Sequence, residues 1–398
     1  MNRIVIVGAS AGGLATAEAL RRSGYGGVIT LIGDEVERPY DRPPLSKQML
    51  SGMWEPERLA LRADADLDAM DLDLRLGTAA TGLCPTEQAV TLADGSRVRF
   101  DGLVVATGVR PRRLPGRREL SGLHVLRTLK DALTLQARLR SGGRLVIVGA
   151  GFVGAEVAAT ACALGVEVTM LEAAAVPLAH AIGEAAGRFL IRLHTDRGVQ
   201  LRTSTAVTEI LSAQGAVTGV RLADATVLLA DDVLVAIGSI PNTDWLRDGG
   251  VVVDNGVVCD EFGAAAPGVY AVGDVARWNN PMLGAAVRIE HRTNAAEQGM
   301  AVAHNLLNPH DPWSLATVPY FWSDQYDTKF QAFGHLSTHD EALVLDDDVA
   351  RGQLLVAYRK GDRLAGVLAA GKSPKTLRAW RSQVAGRVDW AIAIAEET

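Results

Sequence analysis

Three closely spaced glycines are the chemically most informative feature of the sequence. Gly149, Gly151 and Gly154 form a G-x-G-x-x-G turn after an apolar, β-branched run at 145–148. The first glycine permits a tight turn, the second lets the backbone approach a pyrophosphate, and the third lets a helix pack closely on a strand. The helix that follows offers N–H groups and a positive dipole end to phosphate oxygens. Glu172 stands 23 positions after Gly149, where a carboxylate can bind an adenosine ribose, so the pattern predicts dinucleotide binding.

A related glycine turn follows the first apolar run of the chain. It contains Gly8, Ser10, Gly12 and Gly13, and an acid, Asp34, follows the next apolar run. Ser10 stands where the middle glycine of the pattern would be. Serine is small enough to let a pyrophosphate approach, and its hydroxyl can hydrogen-bond a phosphate. Two such turns in one chain predict two bound nucleotides.

Strands and helices must hold these turns, and the apolar patterns predict where they lie. Strands are predicted at Arg3–Val7, Val28–Ile32, Leu145–Val148 and Val166–Leu171, and helices at Ala15–Ser23 and Ala155–Leu164. Each strand–helix–strand series is followed by a stretch in which apolar and polar residues alternate, at Leu74–Phe100 and at Val199–Leu229. Such alternation predicts an antiparallel meander. Each series then ends with a buried strand followed by a glycine-containing turn, first at Ala106-Thr107-Gly108 and later at Gly238. The chain therefore holds two related units.

The last part of the chain has a different pattern. Strands alternate with turns over Pro319–Ala370, and a helix is predicted at Pro374–Ala385. The predicted fold class is α/β, with two Rossmann-like dinucleotide-binding domains, the second nested in the first, and a C-terminal α+β domain. The expected domains are residues 1–111 with 238–312, residues 112–237, and residues 313–398.

Bulk properties exclude several classes of protein. The formal net charge of −6 and the lack of any basic run argue against nucleic-acid binding. No apolar stretch reaches the ~18 residues that span a bilayer, so no membrane association is expected. The sequence enters a strand at once, without a secretory signal, and a cytoplasmic protein is expected.

The three cysteines, Cys84, Cys162 and Cys259, are far apart and form no C-x-x-C pair. Neither a metal site nor a vicinal redox disulfide is therefore expected. Each cysteine adjoins an apolar segment, which favours a buried small apolar side chain.

Four further segments give the chain a family resemblance. They are Pro39-Tyr-Asp-Arg-Pro-Pro-Leu-Ser-Lys47, Gly268-Val-Tyr-Ala-Val-Gly-Asp274, Ile289-Glu-His-Arg-Thr-Asn-Ala-Ala-Glu-Gln298 and Pro319-Tyr-Phe-Trp-Ser-Asp-Gln325. With the two glycine turns, they resemble the flavoprotein disulfide reductase superfamily. Within it, the chain is similar to the NADH-dependent ferredoxin reductases that serve cytochromes P450 and ring-hydroxylating dioxygenases.

The resemblance implies two cofactors, FAD in the first dinucleotide domain and NAD(H) in the second, with the C-terminal domain as an interface domain. The first glycine turn would hold the FAD pyrophosphate, Asp34 its adenosine end and Asp274 its ribityl chain. Lys47 would lie beside flavin N5, paired with Glu156 where the nicotinamide docks, and these two are the expected catalytic residues. Trp322 is expected at the flavin edge. The other implied cofactor-binding residues are Arg42, Ala80, Ala106, Thr107, Gly108, Arg127, Phe152, Val153, Gly238 and Gly273.

Arg292 departs from the family pattern, which often has an aromatic or apolar residue next to the flavin ring at this position. A guanidinium there could stabilise the anionic reduced flavin, or it could pair with a nearby acid such as Glu290. Both interpretations stay open at the level of sequence.

The implied chemistry is hydride transfer from nicotinamide C4 to flavin N5. A cation at Lys47 favours the reduced, anionic flavin, and Glu156 keeps that cation in place. Since no cysteine pair is available, the expected acceptor is external, an iron–sulfur ferredoxin that takes single electrons. The Glu172 carboxylate repels a 2′-phosphate, which predicts NADH over NADPH.

Ferredoxins are commonly acidic, so a basic docking face is expected. The candidates are Arg110, Arg112, Arg113, Arg117, Arg118, Lys329, Lys372, Lys375 and Arg378. Two other enzymes fit the same electron flow, a rubredoxin reductase and a general NADH:acceptor flavoprotein. A different class also fits, a flavin- and NADH-binding signalling protein resembling the apoptosis-inducing-factor type.

Overall fold

The computed structural model describes residues 1–116 and 119–395. Its strands, in chain order, are β1 Arg3–Val7, β2 Val28–Ile32, β3 Leu72–Arg75, β4 Ala80–Cys84, β5 Ala89–Leu92, β6 Arg97–Arg99, β7 Gly102–Val105, β8 Val109–Pro111, β9 Leu123–His124, β10 Arg144–Val148, β11 Glu167–Leu171, β12 Gln200–Arg202, β13 Val207–Ala213, β14 Ala216–Leu222, β15 Val227–Leu229, β16 Asp232–Val235, β17 Ser239–Pro241, β18 Val257–Cys259, β19 Ala264–Ala266, β20 Val269–Ala271, β21 Ala276–Asn280, β22 Ala285–Val287, β23 Tyr320–Gln325, β24 Thr328–Gly334, β25 Glu341–Asp348, β26 Gln353–Lys360 and β27 Arg363–Ala370.

The helices are α1 Ala11–Arg22, α2 Asp64–Asp68, α3 Leu129–Arg140, α4 Phe152–Ala163, α5 Ala179–Asp196, α6 Arg292–Leu307, α7 Pro374–Ala385 and α8 Trp390–Ala395. Short 3-10 helices span Pro43–Ser46, Pro56–Leu59, Asp244–Leu246 and Gly273–Val275.

The described residues form two compact units. The first contains Met1–Asp41, Glu57–Arg110 and Ser239–Pro319, and the second contains Arg42–Pro56, Pro111–Gly238 and the segment from Tyr320 onward. The three-domain division expected from the sequence stays a prediction.

A six-stranded sheet, in the order β19-β20-β7-β1-β2-β3, organises the first unit. The five strands from β20 to β3 are parallel, and β19 is antiparallel to β20. Because parallel strands are covered on both faces, they are continuous apolar runs. Ile4, Val5 and Ile6 in β1 are accordingly fully buried.

The second unit contains a five-stranded parallel sheet, in the order β12-β11-β10-β16-β9. Its central strand β10 carries Val146 and Val148 into one apolar cluster and Leu145 and Ile147 into another. Each Rossmann-like sheet therefore places its glycine turn at the carboxyl end of a central strand, where nucleotides bind in such folds.

The same unit holds a five-stranded antiparallel sheet, in the order β23-β24-β27-β26-β25. Helix α5 packs on this sheet, and Phe189 of the helix meets Phe330 of β24 with ring centroids 5.9 Å apart. The predicted α/β class, with two Rossmann-like regions and a C-terminal α+β region, is confirmed.

Two strands were assigned to the wrong kind of sheet by the sequence patterns. Leu72–Arg75 pairs in parallel with β2, and Gln200–Arg202 pairs in parallel with β11. Both were expected to open or extend antiparallel meanders, whereas the meanders are the three-stranded sheets β4-β5-β6 and β13-β14-β15. Alternation of apolar residues reveals a strand but not the direction of its partner.

Several helix boundaries also differ from those expected. Helix α1 begins at Ala11 and α4 at Phe152, so each starts inside its glycine turn rather than after it. Gly183 breaks α5 with φ 77° and ψ 162°. Lys47 directly follows the short 3-10 helix Pro43–Ser46, as its C-cap residue.

The cysteines do not all have the buried environment expected. Cys259 is buried, and burial raises the pKa of its thiol to about 12. Cys84 and Cys162 are only half-buried, because each lies near the end of its element. No helix within residues 1–116 and 119–395 is both long and apolar enough to cross a membrane.

Candidate functional site

The first glycine turn joins β1 to α1 and has no room for side chains at two positions. Gly8 has φ 124°, and a Cβ atom there would collide with the carbonyl oxygen of Ala106. A Cβ atom on Gly13 would collide with the Gly8 carbonyl oxygen. Ser10 is the N-cap of α1, and within the described residues no side-chain hydrogen bond caps this helix. The bare turn and the uncapped N–H groups fit a pyrophosphate.

Other expected residues of the first unit surround this turn. Thr107 Oγ1 donates to the Asn242 carbonyl oxygen at 2.8 Å, and the Thr107 carbonyl oxygen accepts from Asn242 Nδ2 at 2.9 Å. The two bonds fix the backbone that follows β7. The Gly273 N–H donates to Oε1 of the fully buried Gln298 at 2.7 Å. This bond helps to fix the Gly273-Asp274 turn of the same unit.

Arg292, the first residue of α6, is paired with Asp41 and not with Glu290, the acid suggested from the sequence. Its Nε donates to Oδ1 of Asp41 at 2.6 Å. Glu290 instead accepts from Arg288 at 2.6 Å and from Ser239 at 2.5 Å. Asp41 was not singled out in the sequence, because nothing in the local pattern relates it to Arg292.

The second glycine turn joins β10 to α4 and repeats the geometry of the first. Gly149 has φ 103°, and a Cβ atom on Gly154 would collide with the Gly149 carbonyl oxygen. Gly151 is the N-cap of α4, and no side-chain hydrogen bond caps this helix within the described part of the chain. The carboxylate of Glu172 accepts from the N–H of Ala150 at 3.0 Å. The acid thereby holds the turn.

Lys47 and Glu156 form a nearly buried ion pair in the second unit. Lys47 Nζ lies 2.8 Å from Glu156 Oε2, and the two side chains are only 10% and 8% exposed. Ser46 Oγ donates to the same oxygen at 2.5 Å, and Ser323 Oγ donates to Oε1 at 2.8 Å. Thr160 holds the Ser46 backbone through a 2.8 Å bond to its carbonyl oxygen. The carboxylate is therefore bound on both oxygens by donors alone.

Strand β23 supplies one of those donors because its side chains alternate between two faces. Phe321, Ser323 and Gln325 share one face, where Phe321 packs on Phe152 at the start of α4 with centroids 4.9 Å apart. Trp322 lies on the other face and stacks with Tyr320 at 5.8 Å. The strand thus contacts α4 with one face and presents Trp322 on the other.

The structure distributes the expected site residues over both units. The first unit holds Gly8, Ser10, Gly12, Gly13, Asp34, Ala80, Ala106, Thr107, Gly108, Gly273, Asp274 and Arg292, and the second holds Arg42, Lys47, Arg127, Gly149, Gly151, Phe152, Val153, Gly154, Glu156, Glu172, Gly238 and Trp322. Arg42 donates to the Arg127 carbonyl oxygen at 2.7 Å, so these two lie together. Asp34 is exposed, and Ala80 begins the separate meander.

Residues that the sequence reasoning missed include Ser46, Ser323, Gln325 and Asn242. Ser46 and Ser323 both lie in segments that carry the family resemblance, beside Lys47 and Trp322. The available signal was the alternation of β23, which puts Ser323 and Gln325 on one face. No local pattern indicated Asn242.

Comparisons with known proteins cover nearly the whole chain. A family described as pyridine nucleotide-disulphide oxidoreductase matches residues 2–299, and one described as reductase C-terminal matches residues 320–395. The chain is 37% identical to rhodocoxin reductase of Rhodococcus erythropolis over 93% of this chain and 86% of that protein. It is 39% identical to the ferredoxin–NAD(+) reductase component of the anthranilate 1,2-dioxygenase system of Burkholderia cepacia, over 90% of this chain and 88% of that one.

A solved structure shows the same fold. The crystal structure of the covalent putidaredoxin reductase–putidaredoxin complex matches with a TM-score of 0.92 at 35% identity, covering 98% of this chain and 94% of that one.

Proposed function

Because the chain belongs to the pyridine nucleotide-disulphide oxidoreductase family, among its ferredoxin reductases, we propose that it oxidises NADH through FAD and reduces an iron–sulfur ferredoxin. Members of this group use FAD and NAD(H), and the two glycine turns of this chain suit two such nucleotides. The ferredoxin would in turn serve a cytochrome P450 or a ring-hydroxylating oxygenase.

The Lys47–Glu156 pair is the observation that supports this proposal most directly. A cation and a carboxylate are nearly buried together, and the carboxylate is bound by two hydroxyl groups as well as by the ammonium. Burying charges costs several kcal/mol unless they are paired and hydrogen-bonded, as these are. A pair that only stabilised the fold could be replaced by apolar residues. We therefore infer that this pair is present to stabilise charge that develops on the flavin.

The bound cofactors supply the hydride chemistry, and the side chains settle the charge that accompanies it. We propose that the Lys47 ammonium stabilises negative charge on the reduced flavin. Glu156 holds that ammonium in one position, and Ser46 and Ser323 hold Glu156. A fixed cation stabilises a developing anion better than a mobile one, because no reorganisation is needed when the charge appears.

The two turns would divide the nucleotides between the units. Gly8, Ser10, Gly12 and Gly13 would hold the FAD pyrophosphate, with Asp34 at its adenosine and Asp274 at its ribityl chain. Gly149, Gly151 and Gly154 would hold NAD(H), and Glu172 would bind the adenosine ribose. The hydrogen bonds of Glu172 to Ala150 and to the Ala174 N–H at 2.9 Å support this role, since they fix the carboxylate beside the turn.

Helix α7 is the best candidate for a ferredoxin docking surface in the second unit. Lys375, Arg378 and Arg381 lie one helical turn apart along it and are exposed. Several other candidates are paired with carboxylates, namely Arg110 with Asp244, Lys329 with Asp324 and Lys372 with Asp346. Arg117 and Arg118 lie outside the described residues. Positive charge on α7 would attract an acidic ferredoxin.

The proposal is tested by mixing the purified, FAD-loaded protein with NADH under anaerobic conditions and then with candidate acceptors. Rapid bleaching of the flavin, followed by reduction of a ferredoxin at a rate faster than that of a rubredoxin, is expected. Efficient rubredoxin reduction would favour the rubredoxin reductase alternative. Slow bleaching with a long-lived charge-transfer band would favour the signalling alternative. A cytoplasmic location stays a prediction from the sequence.

A further inference from the structure

A chain of buried polar side chains leads away from Glu156 into the second unit. His194 of α5, Ser323 and Gln325 of β23 are all fully buried. His194 and Gln325 lie outside the Lys47–Glu156 pair, and nothing in the proposed chemistry uses them. A buried polar group is costly unless it is hydrogen-bonded, so the partners of each of these side chains are informative.

The partners form one continuous series. Ser323 Oγ is 2.8 Å from Glu156 Oε1, and Gln325 Nε2 is 3.1 Å from Ser323 Oγ. Gln325 Oε1 is 3.0 Å from His194 Nε2, and His194 Nδ1 is 2.9 Å from the hydroxyl of Tyr326. Four hydrogen bonds therefore connect the carboxylate of Glu156 to the hydroxyl of Tyr326.

The carboxylate fixes the direction of every bond in the series. Because Glu156 only accepts, Ser323 must donate to it, and Ser323 must then accept from the amide N–H of Gln325. The Gln325 oxygen consequently faces His194, whose Nε2 must carry the proton. His194 Nδ1 is left as the acceptor for the Tyr326 hydroxyl.

Two further observations agree with a neutral, oriented imidazole. Burial lowers the pKa of His194 from 6.5 to about 4. Tyr326 has a left-handed backbone with φ 56°, a conformation that is a genuine outlier for a bulky residue. Its ring lies 5.3 Å from that of His194 and 5.0 Å from the guanidinium carbon of Arg197. Tyr326 lies in the turn between β23 and β24, from which its hydroxyl reaches His194.

We propose that His194 and Tyr326 are positioning residues that act through Gln325 and Ser323 to hold the Glu156 carboxylate for Lys47. The inference rests on the proposed function only in assigning a role to the Lys47–Glu156 pair. The chain of hydrogen bonds does not depend on that function. Each donor in the series points toward Glu156, so the bonds polarise one another and hold the carboxylate in one orientation.

The tautomer of His194 provides a test that needs no electron transfer. Wild-type protein labelled with 15N-histidine should show His194 as the neutral Nε2–H tautomer, assigned by the loss of its resonances in His194→Gln. In Glu156→Gln, Lys47 would select the amide oxygen, and the amide N–H would face Ser323. Every bond would then reverse, and His194 would change to the Nδ1–H tautomer. Glu184→Gln, which alters an exposed carboxylate on α5, should leave the tautomer unchanged.

An unchanged tautomer in Glu156→Gln would overturn the proposal. A double-mutant cycle gives a second measure if that variant folds poorly. Ser323→Ala should slow NADH-dependent flavin bleaching about tenfold, equivalent to about 1.4 kcal/mol, with the Kd for NADH unchanged. Tyr326→Phe should slow bleaching in the wild type but have little further effect in Ser323→Ala. Additive effects would also overturn the proposal. Failure of wild-type bleaching would reject the proposed function and leave the tautomer test to decide the hydrogen-bond chain.

Discussion

Asp41 holds the guanidinium of Arg292 through a 2.6 Å hydrogen bond, although the two residues are 251 positions apart in the sequence. Both side chains are about one-third exposed or less. At the position that the family resemblance places next to the flavin ring, this chain therefore has an ion pair rather than a single positive charge. The net charge of the pair is zero, so its influence on a nearby flavin depends on both members.

We predict that Asp41→Asn raises the flavin midpoint potential, by roughly 10–30 mV, because the freed guanidinium stabilises the anionic reduced flavin. Arg292→Gln should lower the potential, since it leaves the Asp41 carboxylate alone. Spectroelectrochemical titration of the flavin measures both shifts. Shifts of the same sign in the two variants would contradict this explanation.

Glu172 should determine the choice of coenzyme. Glu172→Gln removes the charge that repels a 2′-phosphate but keeps an oxygen that can accept from the Ala150 N–H. The ratio of kcat/KM for NADH to that for NADPH should fall about tenfold, equivalent to about 1.4 kcal/mol. Glu167→Gln, at the exposed other end of β11, is the matched control and should leave the ratio unchanged. Comparable kcat/KM values for the two coenzymes in the wild type would refute the predicted NADH preference.

Stability should fall in mild acid because two histidines are buried without charge. Burial lowers the pKa of His194 and of His291 from 6.5 to about 4. Between pH 4 and pH 6.5 the unfolded chain binds protons at these histidines that the folded chain does not bind. The free energy of unfolding is therefore highest above pH 6.5. It should decrease by about 1.4 kcal/mol per pH unit for each histidine as the pH falls toward 4.

Urea denaturation of the FAD-loaded protein at several pH values between 7 and 4.5 measures this dependence. His194→Gln should have a shallower pH dependence than the wild type, because one of the two groups is gone. Parallel curves for the two proteins would show that His194 is not buried as a neutral ring.

Helix α6 packs on α1 through a glycine that tolerates no larger residue. A Cβ atom on Gly299 would lie 2.8 Å from the Gly12 carbonyl oxygen and 3.0 Å from the Thr16 nitrogen. Gly299→Ala should therefore destabilise the protein by about 1–3 kcal/mol, since backbone atoms cannot move aside cheaply. Gly26→Ala, where nothing lies within 4 Å, should change stability by no more than about 0.5 kcal/mol. Thermal unfolding of the two variants makes the comparison, and equal Tm values would count against close packing at Gly299.

The basic face of α7 should govern ferredoxin reduction. Lys375→Glu combined with Arg378→Glu should raise KM for an acidic ferredoxin roughly tenfold at low salt, with NADH-dependent flavin bleaching unaffected. The difference from the wild type should shrink as salt is added, because exposed charges are screened. Arg22→Glu, an exposed cation at the end of α1, should have little effect. Equal sensitivity of the Arg22 variant would indicate that net charge alone matters.

Local patterns were sufficient for the parts of this protein that depend on neighbouring residues. Both glycine turns, β1, β2 and α7 are where the sequence places them, because a tight turn, an apolar run and a capped helix are determined by residues close in the chain. The family resemblance added the Lys47–Glu156 pair, which the structure contains. The alternating pattern could not distinguish β3 and β12 from meander strands, because the direction of a partner strand is not encoded in one strand.

The sequence by itself determined that this chain has two nucleotide turns, each with its strand, its helix and its following acid. Only the tertiary structure decided which side chains surround the charged pair and the arginine of α6. Ser323 is 167 positions from Glu156, and Gln325 is 131 positions from His194. Such contacts depend on which face of β23 packs against α4 and α5. That choice is made by the burial of the whole apolar face, not by any short run of residues.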